Sequence, residues 1–245
     1  MKTILPPPPT FQPGDSVVVE PMPQMRKKIA EHMVLSKRTS AHVHSVYEID
    51  CTNITRTRKQ VQDDFVQRHG QKLTITPFVV KAAVESLRAI PIVNASVDGD
   101  NIVYKKDINI ANAVAIDGGL ITPVIQNCNM KDIMTVSAEW KDLVGKAKSG
   151  TLSPAEFSSG TFAISNLGMF GVSQFGSLLP AGTGSILAIG GAAEVVKMKN
   201  GVPTAVKEME VTITCDHRHI YGADAAIFLK ELAEIMENDT LSIAL

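Results

Sequence analysis

Apolar and polar positions follow two different periods along the 245 residues of the chain. Apolar residues that recur every three to four positions predict amphipathic helices, and alternating or β-branched runs predict strands. The predicted helices are Met25–Ser40, the stretch from Thr52 or Asn53 to Gly70, Phe78–Ala89, Thr135–Lys148 and Ala223–Asn238. The predicted strands are Val43–Asp50, Ala95–Val97, Ile102–Tyr104, Ile108–Ile116, Leu120–Ile125, Thr161–Ser165, Ser185–Gly190, Glu194–Met198, Pro203–Val206 and Glu208–Cys215.

Turn residues mark the ends of these elements. Gly70 is suited to terminate a helix in the left-handed conformation, and Thr76 with Pro77 is typical of a helix start. Asp98-Gly99 and Asn200-Gly201 favour tight hairpins. Because several strands are joined by tight turns while helices are interspersed, we expect an α+β two-layer sandwich: a mixed sheet with helices mainly on one side.

The first residues differ in composition from the rest. Pro6–Pro9 and Pro13-Gly14 favour extended chain over a packed element, so we interpret residues 1–20 as the remnant of a proline-rich linker. Residues 21–245 are then one core domain.

Bulk properties exclude several classes of function. The formal net charge is -1, the sequence pI is about 6.6, and 44% of the residues are hydrophobic. This balance argues against a surface for nucleic acid or anionic membrane. Since we find neither a run of about 18 apolar residues nor a signal-peptide pattern, we expect a protein of the cytoplasm or the mitochondrial matrix.

The cysteines and two neighbouring histidines do not predict a metal site. Cys51, Cys128 and Cys215 lie far apart without CxxC spacing, which favours three reduced thiols. Cys215 precedes a histidine by two positions, but on an alternating strand a buried thiol is the better interpretation than a nucleophile. His42 and His44 share a strand face without a third matched ligand, so we predict no metal.

Two segments carry candidate chemistry. Thr212–Asp224 is an alternating strand that ends at His217, with Gly222 before a helix; the imidazole is either a proton-transfer group or a hydrogen-bonded strand end. Gly160–Gly171 is a short strand that runs into a glycine-spaced loop carrying Ser165, whose hydroxyl otherwise satisfies its own turn.

Together with Arg26–Met33 and Asn109–Ile125, these two segments resemble the catalytic domain of the dihydrolipoamide acyltransferases, the core component of 2-oxo-acid dehydrogenase complexes. The resemblance spans most of the chain. It implies a trimeric, chloramphenicol acetyltransferase-like fold. The Ser-Asn-Leu-Gly-Met-Phe-Gly loop is most similar to pyruvate-complex members, which implies an acetyl donor rather than a succinyl or branched-chain one.

The resemblance also implies roles for individual residues. His217 matches the base that deprotonates coenzyme A, and Ser165 matches the hydrogen-bond donor to the oxyanion. In the family these two residues come from neighbouring chains of the trimer. Asn166, Gly168 and Gly171 are then expected along the substrate channel, because glycines permit close approach of the backbone.

The chain departs from the family pattern at one position of the motif. The family carries aspartate, or asparagine in some relatives, where this chain has Tyr221, while His217 and Gly222 are kept. Arg26 is the candidate for the arginine that would face that aspartate. We expect Tyr221 to support the loop less firmly, so that an aspartate there would raise activity. Asp216 is expected to order the turn, and Arg218 to pair with a carboxylate.

The resemblance implies substrates and partners outside the chain. These are coenzyme A, a lipoyl group on a separate domain, and the decarboxylase and dihydrolipoamide dehydrogenase components. Homotrimers that build cages of 24 or 60 chains are implied, and the tail 240–245 either docks on a neighbouring trimer or frays. Two alternatives remain: a weakly active or non-catalytic scaffold, favoured by Tyr221, and a small-molecule O-acetyltransferase.

Overall fold

A computed structural model describes residues 9–70 and 72–238, which form six α-helices and eleven strands. The proline cluster before residue 9 and the tail 240–245 lie outside this range. The helices are α1 (Gln24–Thr39), α2 (Thr52–His69), α3 (Thr76–Ala89), α4 (Ile133–Ser149), α5 (Ala155–Ser158) and α6 (Gly222–Asn238). The strands are β1 (His42–Asp50), β2 (Ser96–Asp98), β3 (Asn101–Val103), β4 (Ile110–Asn112), β5 (Val114–Ile116), β6 (Gly119–Ile121), β7 (Val124–Ile125), β8 (Phe162–Asn166), β9 (Ser185–Ile189), β10 (Ala193–Lys199) and β11 (Val202–Asp216).

Seven of these strands form one mixed sheet in the order β1-β11-β9-β8-β4-β7, with β10 also paired to β11. The central pairs β4–β8 and β8–β9 are parallel, and the other pairs are antiparallel. The hairpins β2–β3 and β5–β6 stand apart from this sheet. The predicted mixed sheet is therefore confirmed.

The helix ends follow local sequence chemistry. Gly70 and Gly150 adopt the left-handed conformation after α2 and α4, where a residue without Cβ costs least. The side chain of Asp132 caps α4 by accepting the N–H of Thr135. Thr52 and Thr76 are the first helical residues of α2 and α3 rather than their caps, and the cap positions are Cys51 and Ile75.

Strand β11 is longer than its sequence pattern indicated. We predicted two strands that part at Lys207, but Val202–Asp216 is one continuous strand. Its first half pairs with β10, its second half pairs with β9, and β1 lies along the other edge. Lys207 stays in the strand because its N–H donates to the hydroxyl of Thr52 at 2.9 Å. A polar residue at a half-buried sheet position does not end a strand.

The two faces of the sheet differ in what covers them. Helices α2, α3, α4 and α6 pack on the first face, over a core that includes Phe162, Leu187 and Ile213. The second face carries a smaller apolar cluster in which Leu179, from the segment between β8 and β9, covers Ala163 and Ile186. The prediction of helices mainly on one side is confirmed. The second face carries the smaller of the two apolar clusters.

The amino-terminal part of the described chain packs little against the rest. Residues 9–23 form neither helix nor strand and are almost entirely exposed. Within α1, Ser36 is the one buried residue, and its hydroxyl donates to the carbonyl of Leu179 at 2.6 Å. Within residues 9–70 and 72–238, no helix combines the length and apolarity needed to span a bilayer.

Candidate active site

His217 lies at the carboxyl end of β11. The backbone N–H of His217 donates to the carbonyl of Ala41 at 2.7 Å, which ties this strand end to the junction of α1 and β1. The side chain is exposed on the surface of the single chain. Two residues earlier, Cys215 is fully buried on the first face, and burial raises the pKa of its thiol to about 12. The thiol is therefore a core group, as predicted, whereas the imidazole of His217 is accessible from solvent.

Asp216 and Arg218, on either side of His217, form an ion pair. The guanidinium donates from Nε and Nη2 to the Asp216 carboxylate at 2.6–3.1 Å, and the backbone N–H of Arg218 adds a bond at 3.2 Å. Burial alone would raise the pKa of Asp216, which is only 2% exposed, but these Arg218 contacts and a hydrogen bond from Ser40 outweigh it and lower that pKa. Arg218 therefore pairs with a carboxylate, as predicted, and that carboxylate also accepts the backbone N–H of Arg218 within the turn.

Tyr221 is the residue immediately before α6, which begins at Gly222. Its N–H donates to the Asp224 carboxylate at 2.8 Å, and its carbonyl accepts the N–H of Ala225 at 3.1 Å. This arrangement is half of a capping box, with a carboxylate in the first turn of the helix. The Tyr221 ring is 60% exposed and its centroid lies 5.8 Å from that of His217. The backbone beside the histidine is therefore held firmly.

Three further histidines near this strand end are engaged in structural contacts. His219 is 3% exposed and its Nε2 lies 3.2 Å from the carbonyl oxygen of Ala95. His42 lies 3.4 Å from the Ser36 hydroxyl, and His44 lies 2.9 Å from the hydroxyl of Thr214. Among the described residues, no group of three or more potential ligand side chains is arranged for a metal ion.

Ser165 is the second-last residue of β8, and it points to the second face of the sheet. In the sheet register it lies opposite Ala188, which lies opposite Thr212 on β11. Ser165 is half-buried. The hydroxyl of Thr212 is buried and has no hydrogen-bond partner among the described residues. Sequence reasoning passed over Thr212, although the alternation of β11 already placed it on the face opposite the apolar core.

The loop after Ser165 packs closely on the backbone of Gly190 and Gly191. The Asn166 side chain accepts the N–H of Gly168 at 2.9 Å, and Gly171 adopts a φ of 76°. A Cβ on Gly168 would lie 2.8 Å from the carbonyl oxygen of Gly190 and 3.0 Å from Cα of Gly191. The glycines therefore let two loops touch through their main chains. Met169 and Phe170, which lie between Gly168 and Gly171, are exposed.

Within one chain, Ser165 and His217 are far apart. Two strand spacings of about 4.8 Å separate Ser165 from Thr212, and five extended residues at about 3.3 Å each lead on to His217. The two residues are thus roughly 20 Å apart across the sheet. A single copy of the chain does not bring the two candidate catalytic groups together.

Arg26 lies near the start of α1, whereas the Ala41 carbonyl that binds His217 follows the end of that helix. At about 1.5 Å per residue, roughly 20 Å of helix lies between them. Among the described residues, no hydrogen bond joins Arg26 to Tyr221, and the predicted role of Arg26 there stays a prediction.

Residues 15–244 match the family of 2-oxoacid dehydrogenases acyltransferase (catalytic domain). The chain belongs to this family. A relative from Arabidopsis thaliana, the chloroplastic dihydrolipoyllysine-residue acetyltransferase component 5 of pyruvate dehydrogenase complex, is 50% identical over 168 residues, which are 68% of this chain and 36% of that protein. The chain spans about a third to a half of the length of the curated relatives it matches.

Solved structures share the fold. A probable dihydrolipoamide acetyltransferase from Listeria monocytogenes has a TM-score of 0.88 and 30% identity, covering 95% of this chain and 100% of that one. A dihydrolipoamide acetyltransferase from Azotobacter vinelandii has a TM-score of 0.90 and 27% identity, covering 98% and 100%. A chloramphenicol acetyltransferase, 16% identical with a TM-score of 0.53 over 84% of this chain and 94% of its own, shows the fold alone.

The Azotobacter protein was studied for the role of a serine, a histidine and an asparagine in its catalytic mechanism. Those three residues follow one another at separations of 52 and 4 positions. Ser165, His217 and Tyr221 stand at the same two separations in this chain. Tyr221 thus occupies the place that corresponds in spacing to the asparagine.

Proposed function

We propose that the chain transfers an acetyl group between the thioester of dihydrolipoamide and the thiol of coenzyme A, as the core of a 2-oxo-acid dehydrogenase complex. One observation carries the proposal: Ser165, near the end of β8, and His217, directly after β11, have the separation of the serine and histidine studied in the Azotobacter acetyltransferase. Both residue types are the ones that acyl transfer to a thiol needs.

His217 is the general base of this proposal. A free thiol with a pKa of about 8.5 is only a few per cent thiolate at pH 7, so a neutral imidazole that accepts the proton raises the reactive fraction. The sulfur of coenzyme A then attacks the thioester carbonyl, and the imidazolium returns the proton to the departing dihydrolipoamide sulfur. The exposed position of His217 at a rigid strand end suits both steps.

Ser165 stabilises the tetrahedral intermediate by donating its hydroxyl to the oxyanion. Such a preorganised donor is worth roughly 3 kcal/mol. The loop of Asn166, Gly168 and Gly171, packed on Gly190 and Gly191, forms the wall along which the backbone approaches the substrate. The exposed Met169 and Phe170 give this wall an apolar surface.

The active site forms between copies of the chain. His217 and Ser165 lie roughly 20 Å apart within one copy. The histidine of one copy must therefore meet the serine of a neighbouring copy. We infer a cyclic homotrimer, built into a cage of 24 or 60 chains that binds the decarboxylase and dihydrolipoamide dehydrogenase components.

The remaining parts of the complex are supplied by other segments or chains. Residues 1–20 are the end of a linker, residues 21–245 form the catalytic core, and the lipoyl group arrives on a separate domain. For the compartment, the cytoplasm and the mitochondrial matrix remain our predictions, and the chloroplastic Arabidopsis relative adds the chloroplast.

The test is acyl transfer by the purified chain, with acetyl-CoA and dihydrolipoamide as substrates and release of the CoA thiol as the readout. We expect turnover in the parent and a fall of about 100-fold in kcat for Ser165→Ala with the assembly intact by light scattering. His217→Gln should fall by at least as much. An inactive parent would favour the non-catalytic scaffold. Faster transfer to a hydroxyl acceptor would favour an O-acetyltransferase.

A further inference from the structure

The backbone around His217 is fixed more firmly than its ring. The His217 N–H binds the Ala41 carbonyl, and Asp216 and Arg218 on either side are joined to each other. The imidazole itself has no hydrogen bond within the described part of the chain. A base must present one nitrogen in a defined direction, so another contact has to orient the ring.

The ring of Tyr221 lies beside the imidazole. The two ring centroids lie 5.8 Å apart at an interplanar angle of 56°, within the range of tilted aromatic pairs. Tyr221 can hold its ring in place because its own backbone is anchored at both ends, by the Asp224 carboxylate and by the N–H of Ala225. The start of α6 thus presents an aromatic surface to the base.

The phenol hydroxyl is not part of this arrangement. Tyr221 is 60% exposed, and its hydroxyl has no hydrogen-bond partner among residues 9–70 and 72–238. Arg218, the arginine nearest in the sequence, is already bound to Asp216 through two nitrogens. The ring therefore provides the contact with His217, and the hydroxyl group does not.

We propose that Tyr221 is a positioning residue, whose aromatic ring orients the His217 imidazole. This inference rests on the proposed acyl transfer. A carboxylate or carboxamide at position 221 is too short and too polar to replace an aromatic contact at this distance. An aspartate at position 221 is therefore expected to lower activity rather than raise it, which reverses the expectation from the sequence pattern.

The test compares three substitutions in the full chain: Tyr221→Phe keeps the ring, Tyr221→Leu keeps an apolar side chain without aromaticity, and Tyr221→Asp introduces the family residue. Phenylalanine should keep kcat within twofold. Leucine and aspartate should each lower kcat about two- to tenfold, the range that corresponds to an aromatic pair, and leave KM for coenzyme A within twofold. Tyr104→Leu is the matched control, since Tyr104 is 61% exposed and directly follows β3, the second strand of the separate β2–β3 hairpin.

A second readout does not depend on activity. Diethyl pyrocarbonate modifies exposed imidazoles, and mass spectrometry of the peptide that contains His217 gives its rate of modification. We expect faster modification in Tyr221→Leu than in the parent and in Tyr221→Phe, because the ring no longer covers the imidazole. If the parent transfers no acyl group, the proposed function fails, and this second readout still decides the inference.

Three outcomes would overturn the inference. A loss in Tyr221→Phe as large as in Tyr221→Leu would assign the role to the hydroxyl. Parent-like kinetics and modification in Tyr221→Leu would leave position 221 without a role in orienting the base. A gain in Tyr221→Asp would show that a carboxylate supports the base better than the aromatic ring does.

Discussion

Asp216 and Arg218 form a two-nitrogen ion pair that spans the backbone of His217. The carboxylate is almost fully buried, whereas the guanidinium is partly exposed. The pair therefore stabilises the end of β11, because it holds the residues before and after the proposed base in one geometry. The Ala41 carbonyl secures the residue between them.

Loss of the guanidinium should leave this buried carboxylate without its main partner. We expect Arg218→Met to lower the free energy of unfolding by about 1–3 kcal/mol, because an unpaired buried charge is costly. Arg68→Met is the control, since Arg68 and Asp64 are both highly exposed and 3.6 Å apart. That change should cost less than about 0.5 kcal/mol. Urea unfolding at fixed protein concentration measures the free energy of unfolding of both variants. Equal losses in Arg218→Met and Arg68→Met would contradict a structural role for the pair of Asp216 and Arg218.

Acid should weaken this pair in a defined direction. The contacts with Arg218 hold the folded-state pKa of Asp216 below its unfolded value of about 3.9, so the stabilisation is present above roughly pH 5. It is lost as the pH falls through the folded-state pKa. Asp216→Asn should be less stable than the parent at pH 7, and this difference should shrink as the pH falls below about 4. A difference that stays constant down to pH 3 would assign the effect of the substitution to something other than ionisation.

Local patterns in the sequence indicate the candidate residues of the site but not how they are arranged in space. The alternation Thr212–Asp216 places Cys215 in the core and its neighbours on the other face, as the structure shows. The continuity of β11 and the bond from His217 to Ala41 depend on residues that are distant in sequence, which no periodicity reports. The distance from Ser165 to His217 depends on strand order, and this too appears only in the folded sheet.

The close approach of two loops beside Ser165 should depend on the absence of a side chain at Gly190. A Cβ there would overlap the carbonyl oxygen of Ser173 and lie 3.0 Å from that of Glu210, both of them backbone atoms. We expect Gly190→Ala to cost roughly 2 kcal/mol or more of stability and to lower acyl transfer.

Gly145 provides the matched control for this substitution. It lies inside α4, and no heavy atom stands within 4 Å of the place where a Cβ would be added. Gly145→Ala should therefore stabilise the chain by about 0.5–1 kcal/mol, since alanine favours a helix over glycine. Thermal unfolding compares the two variants, and a tolerated Gly190→Ala would show that the loops do not touch as described.

The three thiols should not react in the native protein. Cys51, Cys128 and Cys215 are fully buried, and burial raises their pKa to about 12, 11 and 12. A colorimetric disulfide reagent should detect none of them at pH 8 and all three after denaturation in guanidinium. Rapid reaction of one native thiol, with loss of activity, would bring Cys215 back as a candidate nucleophile.

The separation of Ser165 from His217 leads to a prediction about mixed assemblies. Chains that carry Ser165→Ala still offer the histidine, and chains that carry His217→Gln still offer the serine. If each site takes one group from each of two neighbours, an equal coexpressed mixture should recover about a quarter of the parent activity, because that fraction of interfaces pairs the two intact residues. If both groups came from one chain, the mixture would recover nothing.

A mixture of parent chains with the double variant Ser165→Ala/His217→Gln is the matched control for this experiment. Sites shared between neighbours should again give about a quarter of the parent activity, because both neighbours must be parent chains. Sites within one chain would give about half. The two mixtures together therefore distinguish shared sites from poor coassembly, which would depress the first mixture and leave the second near one half. Recovery of a quarter in both would place the proposed base and oxyanion donor on different copies of the chain.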